Sequence, residues 1–207
     1  MRLLVDLGCG LLLLSCTERL IFSSPMRGIK GGRLTTTIPS PLTAEEVAEV
    51  AQAAQQDPAL RVVVALSGIH ALAAHQIRTL LLDQVDLAGC RLELESLNRP
   101  LDEYTAEAIT NYLDYRRSRW PSSTNPHLLI SRNTATTTTA VGTFRQDKLV
   151  KPLPVGLDRL RQDRILEEAP ASGADPLHLA HVFSLGAKTS LRYTTAVAPS
   201  AAEHETP

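Results

Sequence analysis

The alternating stretch at residues 90–100 limits the possible folds of this chain more than any other feature. In CRLELESLNRP, Leu92 and Leu94 lie on one side of an extended strand and charged residues lie on the other. The residues around 96–98 can turn the chain back, so the stretch predicts a small β-hairpin. In the sequence on both sides of this stretch, apolar residues recur at helical spacing. We therefore predict an α+β fold that is mostly α.

Helical patterns fill most of the remaining sequence. A capping box of Thr43 and Glu46 opens the first helix, and the helix that follows from Pro58 is apolar nearly all round, which predicts a central position. The predicted helices span about 43–57, 58–70, 73–83, 103–119, 157–169, 175–183 and 187–197. Residues 125–131 are expected to form one further short strand, and 132–156 a long loop.

These patterns divide the chain into three parts. We predict an irregular N-terminal segment and linker at 1–40, one domain at 41–197 and a disordered tail at 198–207. The opening MRLLVDLGCGLLLLSC is loosely similar to a lipoprotein signal, but Asp6 interrupts a run that is too short to span a bilayer. A mis-chosen start codon or a truncated upstream element is favoured, and we expect a cytoplasmic protein with no membrane partner.

Composition narrows the classes of partner. The net charge of −1 gives no general attraction to nucleic acid, so a polyanion must be held by a local patch. Arginine supplies most of the cations, which suits phosphate binding but equally reflects a GC-rich genome. Cys9, Cys16 and Cys90 are expected to be free thiols. No metal site is predicted, because the histidines lack further partners at ligand spacing.

Four segments in order resemble one known family. They are HALAAHQIRTLLLDQVDL (70–87), RPLDEYTAEAITNYLDYRRSRWP (99–121), NPHLLISRNTA (125–135) and DPLHLAHVFSLGAKTSLRYTTAV (175–197). Together with the order of helices and hairpin, they are similar to the C-terminal catalytic domain of tyrosine recombinases, the phage-integrase family. The amino-acid sequence of these segments is especially similar to that of integrase-like proteins of actinobacteria. The resemblance implies a truncated and degenerate form of the catalytic domain.

The resemblance implies a specific chemistry. In this family a tyrosine hydroxyl attacks a DNA phosphate, arginines stabilise the charge on the phosphate, and a lysine or histidine handles the leaving group's proton. No metal and no cofactor are needed. Tyr193 stands at the place of the nucleophile, and Arg161 or Arg164 can serve in the family's His-x-x-Arg box.

Most of the other family positions are altered in this chain. Ala73 occupies the slot of the first arginine, and the hairpin lysine is absent, with Arg99 as the basic residue there. Strict alignment places Arg159 and Gln162 in the His-x-x-Arg box, and the later His or Trp position falls at about Leu185. Without two phosphate-binding arginines and the proton donor, we expect little or no recombinase activity.

Duplex DNA is the partner that the resemblance implies, with other recombinase protomers as a further class. The residues predicted to contact DNA are the basic ones along the resembling segments: Arg78, Arg99, Arg116, Arg117, Arg119, Arg132, Lys188 and Arg192. Since the family's usual N-terminal helical module is not found in this sequence, we expect binding to be weak and strongly dependent on salt.

Two alternatives stay open. Residues 175–197 also fit a helix-turn-helix, with a turn at 184–186 and a second helix that carries Lys188 and Arg192 into the major groove, which would make the protein a DNA-binding regulator. The run of threonines at 136–139 and the missing arginines also fit a non-functional integrase remnant. In that case no cooperative unfolding transition is expected.

Overall fold

The structure, a computed structural model, describes residues 40–94 and 97–197. Its eight helices are α1 (Ala44–Ala54), α2 (Pro58–Gly68), α3 (Ala74–Thr79), α4 (Glu103–Arg119), α5 (Thr143–Val150), α6 (Leu157–Ala171), α7 (Pro176–Phe183) and α8 (Ala187–Val197). Strands β1 (Val85–Asp86), β2 (Arg91–Leu94) and β3 (Leu97–Pro100) form one antiparallel sheet in that order. The predicted fold class is confirmed. The predictions for the N-terminal segment, the hairpin tip and the tail lie outside the described residues.

Local signals set the ends of the first two helices. The Thr43 side chain accepts from the backbone N–H of Glu46 at 3.2 Å, and the Glu46 carboxylate accepts from the N–H of Thr43 at 2.8 Å, which confirms the capping box. Asp57 caps α2, and Pro58 fits its first turn because proline lacks the N–H that a helix start leaves unpaired.

Helix α2 is the centre of the domain, as its apolar sequence predicts. Leu60, Val62 and Leu66 are at most 1% exposed, and the helix packs against both α4 and α6. The main apolar core surrounds α2 and includes the hairpin residue Leu92. A second cluster joins α6, α7 and α8 around Phe183 and Tyr193. The domain therefore has two packed regions joined through α6.

The hairpin has the predicted alternation. Leu92 pairs with Arg99 and is completely buried, whereas Glu93 is exposed. The sheet also has the short strand β1, in which Val85 pairs with Leu92. Strand β1 was not predicted, because two residues are too few for a visible alternation.

The structure corrects two predicted elements near the third helix. Helix α3 ends at Thr79 rather than near 83, because the Leu80 carbonyl accepts from the Leu128 N–H and the Leu82 N–H donates to the Pro126 carbonyl, both at 2.8 Å. The predicted strand at 125–131 is only an isolated bridge at His127. Residues 80–82 and 126–128 pair with each other over too few residues to form regular strands.

A further correction concerns the segment predicted to be a loop. Helix α5 lies within 132–156, with Gln146 buried and Leu149 packed against the core. Helix α6 is also two residues longer than predicted and contains Pro170 in its last turn. No helix of the described residues has the length and hydrophobicity needed to cross a membrane.

The candidate cleft and a neighbouring basic surface

The turn before α3 contains Ala71 and Ala73. Ala71 has a φ of 52°, a left-handed conformation that favours glycine. Ala73 is the N-cap of α3, and its N–H donates to the Gln76 side-chain oxygen at 2.9 Å. The position that the resemblance assigns to a phosphate-binding arginine therefore offers no side-chain hydrogen bond.

This turn forms one wall of an open cleft of about 420 Å³. The opposite wall is the junction of α7 and α8, where Ser184 adopts a left-handed conformation with a φ of 51°. The residues that line the cleft are Ala73, His75, Gln76, Arg161, Ser184, Leu185, Gly186 and Thr189. Arg161 is thus a predicted catalytic residue that does reach this cleft.

Three arginines contact consecutive backbone carbonyls beside the cleft. Arg164 Nε donates to the Ile69 carbonyl at 3.2 Å, Arg99 donates to the His70 carbonyl, and Arg161 Nε donates to the Ala71 carbonyl at 2.7 Å. We call Arg99, Arg161 and Arg164 the turn arginines. These carbonyls follow the C-terminal end of α2, the negative end of the helix dipole, which attracts cations.

The turn arginines have further partners that fix them in place. Arg161 Nη2 donates to the Phe183 carbonyl at 2.9 Å, and the Arg99 guanidinium lies 5.4 Å from the centre of the Phe183 ring. Burial lowers the pKa of Arg99, and the positive charges of Arg161 and Arg164 lower it further. Arg164 is partly neutralised by Glu168 at 3.0 Å. The three guanidinium groups therefore lie close to one another. Their hydrogen bonds to backbone carbonyls give them a structural role.

Tyr193 lies next to Arg161 but does not line the cleft. It is 3% exposed and packs in the second apolar cluster with Phe183 and Ala169. Burial raises the pKa of the Tyr193 hydroxyl, and the charge of Arg161 opposes this shift only in part. The phenol is therefore protonated at neutral pH, and no described residue forms a hydrogen bond with its oxygen to accept that proton.

Arg116 has a structural position rather than a surface one. It is 6% exposed, and its guanidinium donates to the backbone carbonyls of Asn125, His127 and Leu128. The basic end of α4 was expected to contact DNA. Because the Arg116 side chain is buried and bound to backbone, we leave it out of the set of DNA-contacting residues.

The remaining predicted residues are spread over the surface. Arg117 is exposed and paired with Asp114 at 3.0 Å, and Arg119 is exposed near it. Lys188 is exposed in the first turn of α8, whereas Arg192 and Arg78 are half-buried. In the altered box, Arg159 pairs with Glu46 at 3.6 Å, and Gln162 is half-buried. These residues do not form one cluster.

Sequence reasoning missed a second open cleft, of about 470 Å³, beside α5. It is lined by Ser131, Arg132, Asn133, Thr134, Gly142, Phe144, Arg145 and Lys148. We call Arg132, Arg145 and Lys148 the α5 cations. Arg145 and Lys148 are one helical turn apart, a spacing that could have signalled a basic helix face. Only Arg132 was predicted.

Helix α5 is tied by a direct contact to α3, whose N-cap Ala73 lines the first cleft. The Gln146 side chain donates to the Ala74 carbonyl at 2.8 Å, which ties α5 to the first turn of α3. None of the α5 cations forms an ion pair with another described residue, so their charge is open to an outside anion. Among all the residues that the structure describes, no group of three or more side chains that could hold a metal ion is found.

This mostly helical arrangement with a small three-stranded antiparallel sheet matches the catalytic-domain fold of tyrosine recombinases. The structure is similar to that of XerA recombinase, with a TM-score of 0.59 and 20% identity over 78% of this chain and 63% of that one. The Tn1549 transposon integrase in complex with circular intermediate DNA gives a TM-score of 0.57 and 15% identity, over 87% and 70% of the two chains.

A third similar structure is XerH site-specific recombinase bound to a palindromic difH substrate in a post-cleavage complex. Its TM-score is 0.57, with 13% identity over 84% of this chain and 55% of XerH. The chain thus spans less than two thirds of XerA and of XerH. Neither a protein-family model nor a curated sequence matches the chain. At these identities the similarity establishes the fold alone.

Proposed function

We propose that this protein binds duplex DNA through a tyrosine-recombinase fold without cutting it. The observation that carries the proposal is the contrast between the α5 cations, which are exposed and lack ion pairs, and Arg161 in the cleft, which is bound to two backbone carbonyls. Cations without anionic partners attract the phosphate backbone of DNA and release its counterions on binding.

The proposal that cleavage is lost rests on the chemistry missing from the cleft. Ala73 supplies no charge, and Tyr193 has a raised pKa and no described proton acceptor. Removing one donor that stabilises the transition state costs about 3 kcal/mol, or a factor of about 100 in rate. Losing two arginines and the proton donor together leaves no useful rate.

The wider biological setting is part of the same proposal. A role related to DNA recombination or integration, derived from a mobile element, fits the fold and the structural similarity to a transposon integrase. We also propose an actinobacterial integrase origin, a domain at 41–197, a cytoplasmic location and assembly with other recombinase protomers. They rest on the sequence resemblance.

One observation favours the helix-turn-helix alternative. Helix α8 follows α7 after three residues, and Lys188 and Leu191 lie on its exposed face. A regulator that reads DNA with α8 would lose binding when Lys188 is changed and would be insensitive to the α5 cations. The two proposals therefore predict opposite outcomes for the same pair of variants.

A salt series of DNA-binding titrations tests the proposal. Fluorescence anisotropy with a labelled mixed-sequence duplex would compare the wild type with the triple variant Arg132→Gln, Arg145→Gln and Lys148→Gln. Three lost phosphate contacts should weaken binding at least tenfold and lower the slope of log K against log salt by roughly 3.

Arg61→Gln is the control, because Arg61 already pairs with Glu107 at 3.3 Å. We expect its affinity for the duplex to be close to that of the wild type. Unchanged binding by the triple variant would contradict the proposal, and unchanged binding together with a loss in Lys188→Gln would support the helix-turn-helix alternative.

A further inference from the structure

The aromatic ring of Phe144 is exposed at the edge of the α5 cleft. Phe144 is 81% exposed, more than any other large hydrophobic residue of the part of the chain that the structure describes. A single exposed apolar side chain is common, so exposure by itself indicates no function. The surroundings of this ring are what give it a specific meaning.

The register of α5 holds Phe144 outward. On the opposite face of the helix, Gln146 donates to the Ala74 carbonyl, and Leu149 and Val150 pack against the main core. Turning the helix to bury Phe144 would break that hydrogen bond and expose both aliphatic side chains. The ring therefore stays at the surface, and no described residue covers it.

The neighbours of the ring are cations and small polar groups. Arg132, Arg145 and Lys148 line the same cleft, together with Asn133 and Thr134. Asp147 is the acidic residue of α5, and it is exposed but does not line the cleft. Among the described residues at 131–150, Phe144 is the sole exposed large hydrophobic one. The surface therefore suits a ligand that combines negative charge with a flat aromatic group better than it suits an apolar protein partner.

We infer that Phe144 stacks on an unpaired base of DNA whose backbone phosphates are held by the α5 cations. This inference rests on the proposed function and adds a substrate class to it. Aromatic side chains beside a basic groove bind single-stranded segments by stacking, which tolerates any base. In a perfect duplex the faces of the bases are covered by their neighbours. The inferred preference is therefore for DNA with a bulge or a gap.

Paired titrations test the inference. Wild-type protein would be titrated with a perfect duplex and with the same duplex carrying one bulged 2-aminopurine, whose fluorescence reports stacking. Tighter binding to the bulged DNA by about tenfold is expected, within the range for one base stacked on an aromatic side chain. Phe144→Ala should remove this preference and the fluorescence change, whereas Phe144→Trp should keep both.

Leu177→Ala is the matched control, since Leu177 is 78% exposed on α7 away from the α5 cleft. It should behave as the wild type. Equal binding of both DNAs by the wild type, with normal duplex affinity, would overturn the inference and leave the proposed function standing. Self-association that depends on Phe144 in analytical ultracentrifugation without DNA would also overturn it. Loss of all DNA binding in the wild type would remove the proposed function as well.

Discussion

The turn arginines and the α5 cations carry the same kind of charge in two neighbouring regions, but their partners differ. Arg99, Arg161 and Arg164 donate to the carbonyls of residues 69–71, at the end of α2. Arg132 and Arg145 are exposed and form no ion pair with a described residue. A guanidinium bound to backbone carbonyls is held in one position and has fewer of its five N–H donors left for a phosphate. The comparison therefore separates structural cations from those available to DNA.

The largest expected effect on stability belongs to Arg116, which resembles the turn arginines in being bound to backbone. Arg116→Met would leave the carbonyls of Asn125 and Leu128 without their donor. Unsatisfied buried groups cost about 1–3 kcal/mol each, so we expect a loss of about 3 kcal/mol in the free energy of unfolding.

Urea unfolding followed by circular dichroism measures this loss, with Arg145→Met as the exposed control. The control should change the free energy of unfolding by no more than about 0.5 kcal/mol. Equal effects of the two substitutions would break the distinction between the two kinds of cation. A wild type without a cooperative transition would favour the remnant hypothesis instead.

Arg161→Gln should give a smaller loss of stability with little change in DNA binding. The variant loses the bonds to the Ala71 and Phe183 carbonyls, and hydrogen bonds from a charged group contribute about 1.5–3 kcal/mol each before repacking. We expect a net loss of about 2 kcal/mol. Lys148→Gln should show the reverse: unchanged stability and affinity for duplex DNA reduced several-fold. Fluorescence anisotropy and urea unfolding would be measured on both variants. A loss of DNA affinity in Arg161→Gln, or a loss of stability in Lys148→Gln, would contradict the assigned roles.

Ala73→Arg should increase the affinity for duplex DNA. Ala73 lines the open cleft, so an arginine at this position would add a charge to the cleft wall. One new charged contact to a phosphate should tighten binding about tenfold at low salt, less any repulsion from Arg161. Ala73→Gln, which adds length without charge, is the control in the same titration. Identical affinities for the two variants would mean that this cleft does not face the DNA.

Acid should weaken the turn region before it affects the α5 surface. Burial lowers the pKa of His70, and Asp102 at 3.0 Å from its ring opposes this only in part. Because the folded-state pKa lies below that of the unfolded chain, the unfolded state takes up the proton first. Stability is then lost as the pH falls below about 6.5.

The loss should appear as a lower Tm at pH 5.5 than at pH 7.5. In His70→Gln the difference in Tm between the two pH values should be smaller. An unaltered pH dependence in that variant would assign the acid sensitivity to other groups.

Features with local signals were predictable from the sequence. The range of α4 matches its prediction because Asp102 caps the helix through the Thr105 N–H and Pro121 follows its end. The hairpin was found from the alternation around Leu92. Helix α5 was missed because it has eight residues and is held by Gln146, whose partner Ala74 is 72 residues away.

The site was harder to predict than the fold for the same reason. The sequence indicates that Arg116 and Arg161 are cations, but it does not show which carbonyls lie within reach of them. The Ala71 carbonyl is 90 residues from Arg161 in the chain. Whether an arginine is structural or available for DNA therefore depends on long-range packing, which spacing alone does not reveal.

Covalent trapping on nicked suicide DNA substrates tests the central claim most directly. Wild-type protein and Tyr193→Phe would be incubated with a pool of such substrates and separated on denaturing gels. We expect no protein–DNA adduct from either protein, while both bind duplex DNA with equal affinity. An adduct that forms with the wild type and is absent in Tyr193→Phe would contradict the claim that the fold has kept DNA binding and lost cleavage.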